Sequence, residues 1–306
     1  KLKWFRTFLE LPHGIPSQDT FLRVFAALEP GEFRIRFIAW VESLREQGTE
    51  DVVAVDGKSI RAAIDGSRGG LRVHMVNAWL CEEGLVLGSL RTAAKSNEIT
   101  AIPELLRLLN IQGCTVTTDA MGCQREIART IVEGKGDYML QVADNQRNLH
   151  KDIKEYFDYL DKGGEDLGLL STHESIDGDH GRIEERRFQH TTDIEWFQDR
   201  DKWEGLAGFA RVTARRIDPD TGESSQEARH YICIEPDAVR AAHAIRRPWR
   251  VENQLHWVLD MAFDEDHSRW RTGNAAENFA IVRHVAVNLI KRETSKKKGV
   301  LTKRKR

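Results

Sequence analysis

Two aspartates stand directly after short apolar or β-branched runs. Asp56 follows Val52-Val53-Ala54-Val55 and precedes Gly57, and Asp119 follows Thr115-Val116-Thr117-Thr118 and precedes Ala120-Met121-Gly122. Such runs read as strands, which puts each carboxylate at the C-terminal edge of a strand, where ligands and ions gather in open α/β sheets. An Asp at a strand end is also a common turn or helix cap, so neither position is diagnostic alone. A third acid is expected from a late helix, and residues 246–271 offer Glu252, Asp260, Glu265 and Asp266. Glu252 shares a helix face with His256 at i, i+4, but the residues by themselves leave the choice among the four open. Two Asp and one Glu, without His or Cys, make the hard oxygen set that Mg²⁺ prefers. Two such ions about 3.5–4 Å apart suit hydrolysis or transesterification of a phosphodiester. Asp56 is expected to bridge them, with Asp119 and Glu252 on one ion each.

Around these acids lie residues suited to DNA. Lys58 and Arg61 follow the first Asp and are expected to hold phosphates of the cut strand, although two cations in a polar loop are often only solvated. Asn145 and Gln146 follow the strand ending at Val142, and His180 with Arg182 flanks a glycine turn. Arg246 and Arg250 precede Glu252 at a helix N-terminus, whose dipole disfavours cations unless an anion is near. With Asn253 and His256 they complete the expected DNA-binding set. Trp249, Trp257 and Trp270 interleave with basic residues, and one of them is a candidate platform for an unpaired base. The spacing of Trp257 favours the core instead. His150, His173, His180 and His190 lack zinc-ligand spacing.

The elements that must position these groups are legible as changes of hydrophobic period. Residues 1–50 read as a helical segment, with two amphipathic helices over 18–48 around Pro30-Gly31 and with Ser17 and Asp19 as caps. Residues 51–150 read as β-β-β-α-β-α-β, in which the last strands pair in parallel through right-handed crossovers. That is the order of a ribonuclease H-like α/β fold, with a generic doubly wound sheet as the alternative. Residues 151–236 turn irregular and charged, with strands expected at 181–192, 208–218 and 228–235, a β-rich insertion into the catalytic core. Residues 237–292 return to helical period and close the core, and 293–306 form a basic tail.

The formal net charge of −2 is ordinary, but Lys291 to Arg306 holds nine Lys/Arg against one Glu, which would release counterions on a phosphate backbone. The four cysteines, Cys81, Cys114, Cys123 and Cys233, form no C-x-x-C pair and read as small core residues. No long apolar run and no signal-peptide pattern appears, so a cytoplasmic protein is expected.

The chain resembles the DDE-type transposases of bacterial insertion sequences, in the ISAs-type branch that includes the H-repeat-associated proteins. The resemblance runs through PHGIPSQDTFLRVF, VVAVDGKSIR, TTDAMGCQREIA, DNQRNL, HGRIEERR, WRVENQLHWVLDMAFDEDHSR and RTGNAAENFAIVRHVAVNLIKRE. It implies a ribonuclease H-like core with an inserted β region, two Mg²⁺ ions with Mn²⁺ as a substitute, and the acids on Asp56, Asp119 and Glu252. It also implies cutting at element ends, strand transfer to target DNA, a homodimer or larger active complex, and association with the nucleoid. Ala143, Pro248 and Leu259 depart from it, standing where relatives carry a Lys, the His of a His-Trp pair and a basic residue. Two alternatives are a descendant that binds DNA without cutting and a metal-dependent nuclease unconnected with mobile DNA.

Overall fold

The computed structural model describes residues 2–46, 51–65, 71–92, 98–165, 169–179, 182–218, 222–234, 238–247, 251–295 and 299–304. The N-terminal segment forms α1 (Leu2–Phe5), α2 (Gln18–Ala27) and α3 (Pro30–Glu42). Ser17 caps α2 by accepting the Thr20 N–H at 3.2 Å, and Pro30 opens α3, where its missing N–H costs nothing.

Among the described residues the strands are β1 (Val52–Asp65), β2 (Leu71–Leu80), β3 (Leu85–Thr92), β4 (Thr115–Thr118), β5 (Asp137–Val142), β6 (Leu170–Asp179), β7 (Arg182–Thr191), β8 (Gly208–Ile217) and β9 (Ser224–Cys233). They form one mixed sheet in the order β3-β2-β1-β4-β5-β9-β8-β7-β6. β1, β2 and β3 are an antiparallel meander, whereas β1, β4 and β5 run parallel. The parallel crossovers are α4 (Glu98–Leu108) and α5 (Arg125–Glu133), so the expected element order is present. The helices α6 (Arg147–Asp161), α7 (Ala238–Arg246), α8 (Trp257–Phe263), α9 (Ala275–Arg292) and α10 (Val300–Arg304) complete the α/β fold. The central strands are covered on both faces: Val53, Val116, Met139 and Leu140 are fully buried.

Four features differ from the sequence reading. β1 does not stop at Asp56-Gly57 but continues to Asp65, because β2 keeps pairing with it after the parallel partner ends at Val55↔Thr118. The strands expected as a separate insertion extend the same sheet, since β9 pairs antiparallel with β5 from Met139↔Cys233 to Val142↔His230 and covers an apolar edge. The irregular region opens with an amphipathic helix, α6, which runs through residue 150 and buries Leu149, Ile153 and Phe157. An additional strand, β6, forms the far edge.

The late helices lock onto the meander. Asn288 of α9 accepts the Val86 N–H at 2.9 Å and donates to the Val86 carbonyl at 3.0 Å, occupying edge strand β3 as a further strand would. Asn278 donates to the carbonyls of Phe25 and Leu28 at the end of α2. The basic C-terminal segment is partly turned inward: Lys291 lies 4.5 Å from the Trp79 ring centre, and Lys303 donates to the carbonyls of Ile290 and Glu293 at the end of α9. All four cysteines are buried and unbridged, as expected of core residues. Trp257, expected in the core, is 56% exposed, while Trp270 stacks on Phe279. Among the described residues no helix is long and apolar enough to cross a membrane.

Candidate active site

Asp56 and Asp119 stand side by side because β1 and β4 pair in register up to Val55↔Thr118. Asp56 is the next residue on β1, and its Oδ1 accepts the Gly57 N–H at 2.8 Å. Asp119 ends β4 and caps the short 3-10 turn Ala120–Gly122, with Oδ1 accepting the Gly122 N–H at 3.2 Å. Asp119 is therefore a turn cap as well as a strand-end acid beside Asp56. Both positions need glycine: a Cβ on Gly57 would overlap Glu98 and His74, and one on Gly122 would overlap Thr118.

Glu252 opens the third wall. It begins a π-helical turn, Glu252–His256, closed by the Trp257 N–H bonding to the Glu252 carbonyl, before the chain continues as α8. A widened turn of this kind is frequent at functional sites. Asp56, Asp119 and Glu252 line one cavity of about 190 Å³, to which the inserted region adds Arg229 and Tyr231 from β9. On the same helix, His256 brings its Nδ1 to 3.6 Å from Asp56 Oδ2.

Electrostatics mark the cavity. The Asp56 carboxyl is pushed up to about 6, first by burial and then by the Asp119, Glu98 and Glu252 carboxylates, against the lowering pull of the Gly57 amide. Burial, with Lys58 adding to it, depresses His256 to about 4, so its ring is neutral at pH 7. Three carboxylates converging on one cavity are the oxygen donors that a hard divalent cation takes. Among the described residues, no three His, Cys, Asp or Glu side chains are arranged to hold a metal ion as they stand.

The competing acids are committed elsewhere. Asp260, Asp266 and Glu265 surround Lys58 Nζ at 2.7, 3.3 and 3.5 Å, and Glu265 also faces Arg283 at 3.5 Å. Lys58 is buried in this cluster rather than presented to solvent, contrary to its expected place on phosphate. Although burial opposes the charge, the carboxylates of Glu265, Asp260 and Asp266 hold its ammonium above the ordinary lysine value.

The remaining expected contacts divide. Arg61 is exposed, with Nε 3.1 Å from Asp266. Arg246 is exposed and donates to Asp177 at 2.8 Å, and Asn253 is exposed on the Glu252 turn. Asn145 donates to the Ala120 carbonyl and Gln146 to the Cys123 carbonyl at 3.0 Å, so both amides brace the loop after Asp119. His180, Arg250, Pro248 and Trp249 lie outside the described residues, as does the side chain of Arg182. The sequence reading missed Arg229, whose place depends on β9 lying beside β5; that adjacency has no signature in a local pattern.

Comparisons with known proteins agree on a family. The family model described as "Transposase DDE domain" matches residues 47–289, and a second, "DDE_Tnp_1-associated", matches residues 1–41. YncI of Escherichia coli, named as a transposase, is 38% identical over 309 residues, spanning 100% of this chain and 78% of that protein. YhhI of Escherichia coli, named as an H repeat-associated transposase, is 36% identical over 307 residues, 99% of this chain and 80% of that protein. A solved piggyBac transposase synaptic complex with hairpin DNA overlaps with a TM-score of 0.43 at 8% identity, over 83% of this chain and 50% of that one, too distant to bear on the argument.

Proposed function

This chain belongs to the DDE transposase family, in its H-repeat-associated branch, and we propose that it cuts DNA at insertion-sequence ends and joins the freed ends to a target. The observation that carries the chemistry is the meeting of Asp56, Asp119 and Glu252 on one cavity while Asp260, Glu265 and Asp266 are held by Lys58. We take the three as the ligands of two Mg²⁺ ions, which Mn²⁺ can replace, on a ribonuclease H-like core. The fit rests on the donor type and on the burial and mutual repulsion that raise Asp56, of which bound cations would relieve the repulsion. When bound, the ions would activate a water or 3′-hydroxyl and take up charge on the leaving oxygen.

The chain's own residues divide the rest. Asp119 is held by its own cap and by the braces from Asn145 and Gln146, so its carboxylate is fixed before DNA arrives. Glu252 is exposed at the mouth and closes the ligand set from the helical side. Arg229 lines the cavity with its Nε paired to Glu227 at 2.8 Å, and its guanidinium would also bind a non-bridging phosphate oxygen of the strand being cut. Arg61 and Arg246, both exposed, are assigned to backbone phosphates. Two element ends are brought together in such a reaction, so the active form is assigned as a dimer or larger, working on DNA in the cytoplasm.

The test is a cleavage assay on a duplex carrying the sequences that flank the gene. With Mg²⁺, the wild-type chain is expected to nick at discrete positions. Asp56→Asn, Asp119→Asn and Glu252→Gln should each lower the rate by at least about a thousandfold while retaining the wild-type circular dichroism. Nicking that persists in Asp56→Asn would overturn the proposal.

A further inference from the structure

Lys58 sits two residues beyond Asp56 on β1, and the period of a strand puts both side chains on one face, roughly 7 Å apart along the chain. Its ammonium has no open path to a phosphate: the side chain is 9% exposed and ringed by Asp260, Asp266 and Glu265. Those acids belong to the far end of the helix that carries Glu252. Asp260 is eight residues from Glu252, about 12 Å along the axis. Glu265 and Asp266 follow the left-handed residue Asp264, where the chain turns into a 3-10 turn. Arg283 of α9 meets Glu265, and Arg61 meets Asp266 through both its backbone N–H and its Nε. Three cations thus face three carboxylates in a balanced cluster that joins β1, the end of α8 and α9.

The helix consequently lies along β1 with two points of attachment. Near its start, His256 faces Asp56; near its end, Asp260 and the following turn grip Lys58. We propose that Lys58 is a positioning residue, a strut that fixes the Glu252 helix against the Asp56 strand and so sets the separation of those two carboxylates. It does not contact DNA. The inference rests on the reading of Asp56 and Glu252 as metal ligands.

The test compares wild type, Lys58→Met, Lys58→Arg, Asp260→Asn and the Lys58→Met/Asp260→Asn double variant in three measurements. Binding to a duplex of about 30 base pairs is followed across a KCl series without divalent metal. Mn²⁺ alone is then titrated, reading the rise in Tm, and Mn²⁺-supported nicking of a plasmid carrying the gene's flanking DNA is measured. Lys58→Met is expected to bind DNA within about twofold of wild type with an unchanged salt slope, yet to need about tenfold more Mn²⁺ for half-maximal nicking. It should also lose most of the Mn²⁺-induced rise in Tm. Lys58→Arg should recover part of both losses, and Asp260→Asn should show them in weaker form. Combining Lys58→Met with Asp260→Asn should add little to Lys58→Met alone.

A salt slope lowered by about one phosphate contact, with unchanged Mn²⁺ dependence, would overturn the proposal in favour of direct DNA contact. Wild-type Mn²⁺ dependence in both Lys58→Met and Asp260→Asn would overturn it as well. If Lys58→Met fails to fold, Asp260→Asn carries the same readouts, because Asp260 is a third exposed and its neutral form strands no buried charge. A wild-type chain with neither nicking nor a Mn²⁺-induced Tm rise contradicts the metal-centre reading itself, which separates that failure from failure of the strut.

Discussion

Asp56 is held in conflict with its surroundings, and that conflict is measurable without any reaction. Its folded-state pKa, about 6, lies above the ordinary 3.8, so the fold favours the protonated form. The stability this contributes is fully present below pH 3.8 and is lost as pH rises through 6. Metal-free Asp56→Asn is therefore expected to be more stable than wild type at pH 7 and equal to it near pH 4, in urea titrations with chelator. The gap should be about 1 kcal/mol, since solvent screens a carboxyl whose side chain is 44% exposed. Asp56 and Asp119 could be picked from the sequence because an acid after a β-branched run has a positional meaning. The burial of Lys58 was not legible for a related reason: a Lys in a Gly-Lys-Ser step looks solvated, and its three partners lie some two hundred residues away.

Helices and strands place these groups through close contacts that admit little change. Gly57→Ala would drive a methyl into the Glu98–His74 pair, in which Nε2 and Oε1 are 2.6 Å apart. The strand must shift beneath Asp56, and cleavage should fall by at least about tenfold while far-ultraviolet circular dichroism stays unchanged. Asn288→Ala removes both bonds to Val86 at the sheet edge and should cost about 2–4 kcal/mol in urea unfolding, because a buried N–H and a buried carbonyl lose their partner. The core β-β-β-α-β-α-β order was legible from runs of β-branched residues alternating with helical period. α6 was equally legible, with Leu149, Ile153 and Phe157 at four-residue spacing, but its many charges masked the stripe. The π turn at Glu252 and the β5–β9 pairing were not, since one depends on how the helix packs and the other on a tertiary choice of edge.

At the scale of the whole molecule, the two halves of the sheet meet at the candidate site: the parallel strands supply Asp56 and Asp119, and antiparallel β9 supplies Arg229. Two histidines are buried in neutral form. His230 is depressed to about 4, chiefly by burial and then by His150 and Arg211, and His284 to about 3, chiefly by burial. A depressed pKa contributes stability that is present above pH 6.5 and lost as pH falls toward 4. Tm should accordingly drop across pH 6.5 to 4, and His230→Asn should flatten part of that drop in calorimetric scans. On the proposed function, three carboxylates from two strands and a π turn act as one metal centre. The most direct test is to count bound Mn²⁺ by electron paramagnetic resonance on the DNA-bound chain. Wild type should hold about two ions per chain, and Asp56→Asn, Asp119→Asn and Glu252→Gln should each lose at least about one. Wild-type Mn²⁺ occupancy in all three variants would contradict the account.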